Sequence, residues 1–314
     1  MIPFDKYREH FQGSALGTFV GDALGREIEG WPREAVEARY GLFERMGRGL
    51  YTDDTEMMIG IMESLIESPR FDPALTAQKF LENFHPERGY GARIYGVMER
   101  IREGVRWDRV GTDSWGNGAA MRIAPIGFFF HDDREALREV ALRSAWITHQ
   151  HPDGMAGALS QALAVAMATE AGIKGEGIEF DGFLDELIEA SGEVSPPFAK
   201  VLERVRSLKG TEGLGEKIRA VASTFPCDVS APGAVPAAIA AFLLGEGFRE
   251  CVLVAVNSGG DTDTIGAMAG AIAGAYYGLS AIPEEWIAPL ENGPKGRDYV
   301  LGLARRLAEL KAGR

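Results

Sequence analysis

Apolar residues recur along most of the chain at the three- and four-residue spacings of a helix. Phe4, Tyr7, Phe11, Ala15 and Phe19 follow this spacing, and residues 57–66 repeat it. Good helix formers fill residues 135–146, 155–170, 183–190, 198–207, 235–244 and 299–311. Alternating β-branched runs are scarce, and the one candidate, residues 251–256, is too short to distinguish from a buried helix. The pattern predicts an all-α protein of a dozen or more helices.

Two stretches interrupt the helical pattern. Residues 172–182 are glycine-rich and charged, which predicts a surface loop, and Pro196-Pro197 marks a second break. Neither resembles a linker between independent domains, so we expect one domain over residues 1–314.

The composition is that of a globular protein with a large core, 46% hydrophobic over 314 residues. The longest apolar stretch, residues 265–279, consists mainly of glycine and alanine and is shorter than the roughly 20 residues of a membrane span, so it predicts a buried helix. We expect no signal peptide, because no charged segment precedes an apolar one at the N-terminus. The two cysteines, Cys227 and Cys251, predict buried free thiols and a cytoplasmic location. Without a membrane span or a signal peptide, no association with a membrane is expected.

The net charge is −13, from 33 basic and 46 acidic side chains. Because no Lys/Arg-rich run is present, a nucleic-acid partner is not expected. An anionic ligand would need local devices to hold it, such as metal ions or backbone N–H groups.

Two segments combine aspartate with threonine at the predicted start of a helix. The first contains Thr52, Asp53 and Asp54, in which Thr52 suits the N-cap and the acids suit the first turn. It is compatible with a simple capped helix, but its oxygen ligands also suit Mg²⁺ or Mn²⁺. The second segment follows Gly259-Gly260 and contains Asp261, Asp263 and Thr264.

The helix predicted after the second segment carries glycine at positions 266, 270 and 274, which places a glycine groove on one face. Glycine costs about 1 kcal/mol in a helix interior, so close approach of another backbone is expected. If the two acidic segments meet, four carboxylates would repel one another. Two divalent ions, typically about 3.5–4 Å apart, would neutralise them.

Two glycine-rich segments are weaker candidates for binding an anion. Gly89-Tyr90-Gly91 is one, and Ser114-Trp115-Gly116-Asn117 is the other; the second contains an indole that could stack on a base. Either could also be an ordinary loop.

Two further polar positions allow both a structural and a functional interpretation. His149 and His151 are unsuited to zinc, because no cysteine lies near, so a ligand contact or a helix cap is favoured for these histidines. Glu29 ends a small-residue helix and is either a solvated carboxylate or an acid or base beside the metals.

In this order, these segments resemble the ADP-ribosylglycohydrolase family. The resemblance covers residues 13–286, and the pairing of TDDT (52–55) with GGDTDT (259–264) is its most specific part. Residues 88–91, 114–127 and 258–278 are most similar to the branch that acts on ADP-ribosyl-serine. Trp115, where that branch is expected to carry Tyr, departs from its pattern, and so do His151, Pro152 and Asp153, which are more similar to the arginine-directed branch.

The resemblance implies an all-α fold and two Mg²⁺ or Mn²⁺ ions. It implies metal ligation by Thr52, Asp53, Asp54, Asp261, Asp263 and Thr264, and catalytic roles for Glu29, Asp54 and Asp261. It implies that residues 89–91 and 114–117 hold the diphosphate, that Trp115 lies near adenine and that His149 lines the same cleft.

The implied reaction is hydrolysis of the C1″ glycosidic bond of an ADP-ribosylated protein or small molecule, releasing ADP-ribose. An O-linked substrate, ADP-ribosyl-serine or O-acetyl-ADP-ribose, is favoured. Three alternatives stay open: an ADP-ribosyl-arginine hydrolase, a di-metal phosphohydrolase and an inactive ADP-ribose-binding protein.

Overall fold

The computed structural model describes residues 2–313, and helices account for most of them. The α-helices are α1 (Phe4–Gly25), α2 (Arg33–Tyr40), α3 (Asp53–Glu67), α4 (Pro73–Glu82), α5 (Ala92–Arg102), α6 (Ala124–Phe129), α7 (Arg134–Trp146), α8 (Pro152–Lys174), α9 (Phe180–Gly192), α10 (Pro196–Glu203), α11 (Leu214–Thr224), α12 (Ala231–Leu244), α13 (Phe248–Asn257), α14 (Thr262–Tyr277), α15 (Glu284–Ile287) and α16 (Arg297–Ala312). Short 3₁₀ helices span Arg26–Ile28, Pro86–Arg88, Trp107–Arg109, Asn117–Ala119, Arg204–Leu208 and Leu279–Ala281. Over residues 2–313, β pairing is limited to two isolated bridges.

The all-α prediction is therefore confirmed, and the ambiguous residues 251–256 lie in α13. The loop predicted at residues 172–182 was too long, because α8 continues to Lys174 and α9 begins at Phe180. Ile173 is buried, so the core extends α8 by another turn, and the Glu179 side chain caps the next helix. Both cysteines are free and buried, as predicted. None of the helices between residues 2 and 313 is long and apolar enough to cross a membrane.

Helix α14 lies at the centre of the fold and is buried from Thr262 to Ala275, which includes most of the predicted apolar stretch. It packs against α8, α12 and α13, and its most extensive contact is with α1.

The contact between α1 and α14 is made by backbone against backbone. Glycines at 13, 17, 21 and 25 on α1 face residues 274, 270, 266 and 262 on α14, so the two helices are antiparallel. A Cβ atom added to Gly17 would lie 2.2 Å from the Gly270 carbonyl oxygen. The predicted glycine groove of α14 thus has α1 as its partner.

This antiparallel contact places the end of α1 beside the start of α14. The Thr262 hydroxyl donates a hydrogen bond to the Gly25 carbonyl oxygen at 2.8 Å, which fixes the two helix ends together. The loop that carries Glu29 leaves α1 at this point.

We predict that Gly17→Ala destabilises the protein by at least about 3 kcal/mol, because its methyl group meets a backbone carbonyl that cannot move without separating α1 from α14. Gly302→Ala is the matched control, since Gly302 is exposed within α16 and an added Cβ meets no atom within 4 Å. The control should gain up to about 1 kcal/mol. Denaturant unfolding measures both, and equal stabilities of the two variants would contradict the packing described here.

Candidate metal and ligand site

The N-termini of α3 and α14 converge at one end of the α1–α14 pair. Thr52 occupies the N-cap of α3, as predicted, with its hydroxyl accepting from the Asp54 N–H at 3.4 Å. Asp261 occupies the N-cap position of α14, and Asp263 and Thr264 lie in its first turn. The Thr264 hydroxyl donates to the Asp54 carboxylate at 3.4 Å, so segments 210 residues apart in sequence meet directly.

Asp22, on α1, attaches the start of α3 to this pair, a role that was not predicted from the sequence. Its carboxylate accepts the Thr52 N–H at 3.0 Å, the Thr55 N–H at 3.1 Å and the Thr55 hydroxyl at 2.5 Å. Burial raises the pKa of Asp22 to about 6, although these hydrogen bonds oppose the rise. The one signal in the sequence that could have indicated this role is a single acidic residue within a helix of small residues.

The loop carrying Glu29 is attached to the turn that precedes α14. Gly30 N–H donates to the Gly260 carbonyl at 2.7 Å, and Gly260 N–H donates to the Trp31 carbonyl at 2.9 Å. Gly260 has a φ of 77°, and a Cβ there would lie 2.0 Å from the Cys227 carbonyl oxygen, so only glycine fits. The loop thereby brings the Glu29 carboxylate to Asp261 and Asp263, with one oxygen from each lying within 4.8 Å of the others.

The charges at this site are unbalanced in the protein alone. Burial and the neighbouring Asp22 raise the pKa of Asp53 to about 8, and burial with mutual repulsion raises the pKa values of Asp54 and Asp263 well above their ordinary range. Burial also raises the pKa of Asp261, and partial burial with Asp261 nearby raises that of Glu29. Lysine is absent from the described residues that line the cleft, and Arg93 is the one arginine.

The donor set fits divalent cations. The carboxylate and hydroxyl oxygens of both helix starts are grouped together, and Asp54 Oδ1 is buried without any hydrogen-bond partner. An orphaned buried carboxylate oxygen is costly unless a cation contacts it. Hard oxygen ligands of this kind suit Mg²⁺ or Mn²⁺.

A cleft of about 540 Å³ opens beside the acidic cluster. Of the predicted site residues, it is lined by Glu29, Thr52, Asp53, Asp54, Gly89, Gly91, Ser114, Trp115, Gly116, Asn117, His149, Asp261, Asp263 and Thr264. Tyr90 does not line it. Its ring is buried behind the loop, and its hydroxyl donates to Glu56 at 2.7 Å, so its side chain supports the loop that carries Gly89 and Gly91.

Residues 114–117 form one wall of the cleft and pair with residues 229–231. Asn117 N–H donates to the Val229 carbonyl at 3.0 Å, and Gly116 N–H donates to the Ser114 hydroxyl at 3.3 Å. These two N–H groups therefore have acceptors within the protein. The Asn117 side chain instead donates to Asp261 Oδ2 at 2.5 Å, which joins this wall to the acidic cluster.

One part of the rim of the cleft, away from Glu29, is apolar. The Trp115 side chain is 51% exposed and available for stacking, and Val229 lies on the paired segment beside it. Three further lining residues, Asp228, Val229 and Ser230, were not predicted, because they belong to an irregular segment without a recognisable motif.

His149 lines the same cleft from the loop between α7 and α8. Burial lowers its pKa to about 3, with the positive charges of Arg122 and Arg93 contributing, so the imidazole is neutral at physiological pH.

The fold is all-helical, and its two acidic helix starts lie beside a cleft. Comparison with known proteins shows that this is the architecture of a glycosidase-type hydrolase. The family model of ADP-ribosylglycohydrolases matches residues 3–314, and the chain belongs to this family. A protein of Archaeoglobus fulgidus is 33% identical, covering 96% of this chain and 97% of its own. ADP-ribosylhydrolase ARH3 of Danio rerio is 32% identical over 96% of this chain and 90% of that protein, and the Homo sapiens ARH3 is 29% identical over 88% and 87%.

The fold is that of a solved ADP-ribosylglycohydrolase-related protein complex. One chain of that structure superposes with a TM-score of 0.77 at 28% identity, covering 98% of this chain and 99% of its own. The resemblance seen in the sequence is thereby confirmed at the level of the family and the fold.

We predict that Asp22→Ala costs about 3 kcal/mol or more of unfolding free energy, because it leaves the buried donors of Thr52 and Thr55 without an acceptor. Asp72→Ala is the control. Asp72 caps α4 in the same way, through the N–H groups of Ala74 and Leu75, but it is exposed, so about 1 kcal/mol should be lost. Chemical denaturation at pH 7 compares the two, and similar losses would show that Asp22 is not the attachment between α1 and α3.

Proposed function

We propose that this protein hydrolyses the C1″ glycosidic bond of an ADP-ribose conjugate with the help of two bound Mg²⁺ or Mn²⁺ ions. The observation that carries the proposal is the convergence of Asp53 and Asp54 with Asp261 and Asp263 at one end of a ligand-sized cleft. Membership of the ADP-ribosylglycohydrolase family and similarity to ARH3 proteins support it.

The ions would be held by Thr52, Asp53 and Asp54 from α3 and by Asp261, Asp263 and Thr264 from α14. Bound there, they would bind the hydroxyl groups of the distal ribose and lower the pKa of a water molecule. They would also neutralise the repulsion that raises the pKa values of these carboxylates, and would contact the orphaned Asp54 Oδ1.

The protein's own groups supply positioning and proton transfer. The Glu29 carboxylate lies at the rim of the cleft, next to Asp261 and Asp263, where it can accept a proton from the attacking water. The water oxygen bonds to C1″ as the bond from C1″ to the leaving oxygen breaks, and a proton passes to that oxygen. Asn117 holds one oxygen of Asp261 in place during this step, and Asp54 is held by Thr52 and Thr264.

The remainder of ADP-ribose would occupy the rest of the cleft. The loops at Gly89–Gly91 and Ser114–Asn117 would flank the diphosphate, and Trp115 would stack on adenine at the rim. Few cations line the cleft, so we expect binding of the diphosphate to depend mainly on hydrogen bonds and on the metal ions.

For the conjugate, we propose an O-linked substrate such as ADP-ribosyl-serine or O-acetyl-ADP-ribose. This preference is supported by the similarity of residues 88–91, 114–127 and 258–278 to the serine-directed branch of the family.

Product analysis with matched serine-, arginine- and acetyl-linked ADP-ribose substrates tests the proposal. We expect free ADP-ribose from an O-linked substrate, loss of activity after exhaustive EDTA treatment, and recovery with Mg²⁺ or Mn²⁺ but not with Na⁺. Release of AMP would identify a phosphohydrolase, and release from the arginine conjugate alone would overturn the O-linked preference. Full activity after EDTA treatment would contradict the metal site.

Glu29→Gln keeps the size of the side chain and removes its charge. We predict a loss of kcat of about 10²- to 10⁴-fold, the usual contribution of a general acid or base, with ADP-ribose affinity and metal stoichiometry retained.

Glu27→Gln is the matched control for this variant, because Glu27 is exposed on the same loop and does not line the cleft. It should leave kcat unchanged. If Glu29→Gln also leaves kcat unchanged, Glu29 has no role in proton transfer; if metal affinity falls together with kcat, Glu29 is a ligand.

A further inference from the structure

Behind the wall of the cleft lies a buried arginine that forms no ion pair within 4 Å among the described residues, although the charge of Asp53 lies near enough to act on it. Arg122 has no exposed surface, and its guanidinium lies 4.6 Å from the centre of the Phe80 ring. Burying a positive charge without an ion pair is costly, so its retention calls for a specific task.

The hydrogen bonds of Arg122 indicate that task. Its guanidinium donates to the Thr148 hydroxyl at 2.7 Å and to the Ser144 carbonyl at 3.1 Å. The same Thr148 hydroxyl lies 2.7 Å from Nδ1 of His149. These contacts form a chain of three side chains that runs from the core to the wall of the cleft.

The chemistry of these groups fixes the position of every hydrogen in the chain. A protonated guanidinium only donates, so Thr148 Oγ1 must accept from Arg122. The single hydroxyl hydrogen of Thr148 then needs an acceptor, and His149 Nδ1 is the group within reach. If Nδ1 carried a hydrogen instead, a buried hydroxyl would have no acceptor, which is unfavourable.

We infer that Arg122 and Thr148 are positioning residues that hold His149 as a neutral imidazole with its hydrogen on Nε2, donating to an oxygen of the bound ligand. This inference rests on the proposed function for the identity of the ligand, ADP-ribose, but not for the tautomer itself.

The other side of the imidazole faces the glycine wall of the cleft. A Cβ atom added to Gly118 would lie 3.2 Å from His149 Nε2, and one added to Gly116 would lie 3.5 Å away. Glycine at these positions leaves the Nε2–H uncovered toward the ligand. His149 is thus a hydrogen-bond donor that adds no charge, and it is not a base in the reaction.

The tautomer can be measured without any ligand. Long-range ¹H–¹⁵N correlation of the imidazoles in ¹⁵N-labelled enzyme distinguishes protonated from unprotonated ring nitrogens, and His149→Gln identifies the His149 signals by their absence. We expect protonated Nε2 and unprotonated Nδ1 throughout pH 5–8. An Nδ1–H tautomer, or averaging between the two tautomers, would overturn the inference.

Thr148→Val then tests the role of the chain in binding, with Thr148→Ser as the matched control that keeps the hydroxyl. We expect Val to raise the Kd of free ADP-ribose about 3- to 10-fold and to abolish the single tautomer, with Mg²⁺ affinity unchanged. Ser should restore both properties.

An unchanged Kd and tautomer in Thr148→Val would contradict the inference. If Thr148→Val does not fold, the wild-type tautomer and the Kd of Thr148→Ser decide the question. Should the wild type not bind ADP-ribose at all while His149 still shows the Nε2–H tautomer, the proposed function fails and the tautomer assignment stands.

Discussion

The backbone contact between α1 and α14 is the constraint on which the site depends. Glycine recurs at every fourth position on the facing sides of both helices. Helices α1 and α14 therefore approach so closely that the carbonyl oxygens of one occupy the space that side chains of the other would fill. A helix that tolerates this many glycines is weak by itself, so the pair is stable only in contact. As a result, the last turn of α1 and the first turn of α14 are fixed to each other.

The acidic residues of the site are all positioned by these two helix ends. Asp22 extends from α1 to hold the start of α3, the Glu29 loop leaves the end of α1, and Asp261 begins α14. The positive ends of two helix dipoles therefore meet, and they favour carboxylates there. The dipoles do not suffice, because the pKa values of Asp53, Asp54 and Asp263 are still raised. Bound divalent cations would neutralise the remaining negative charge of these carboxylates.

The sequence predicts those features that depend on residues close together in the chain, and it does not predict those that depend on distant segments. Helical spacing, the Thr52 cap and the glycine groove are local patterns, and they predicted the all-α class and both acidic helix starts. The partner of the groove, the Asp22 attachment and the wall at residues 228–230 depend on contacts between distant segments, which one sequence does not display. The burial of the Tyr90 ring was not predicted for the same reason, because its partner, Glu56, lies 34 residues away on α3.

The most direct test of the account is a crystal structure of the protein soaked with Mn²⁺, with data collected for anomalous scattering. We expect two anomalous peaks, about 3.5–4 Å apart, between Asp53 and Asp54 on one side and Asp261 and Asp263 on the other. A crystal at saturating Mn²⁺ with no peak between the two helix starts, or with the metal bound elsewhere, would contradict it.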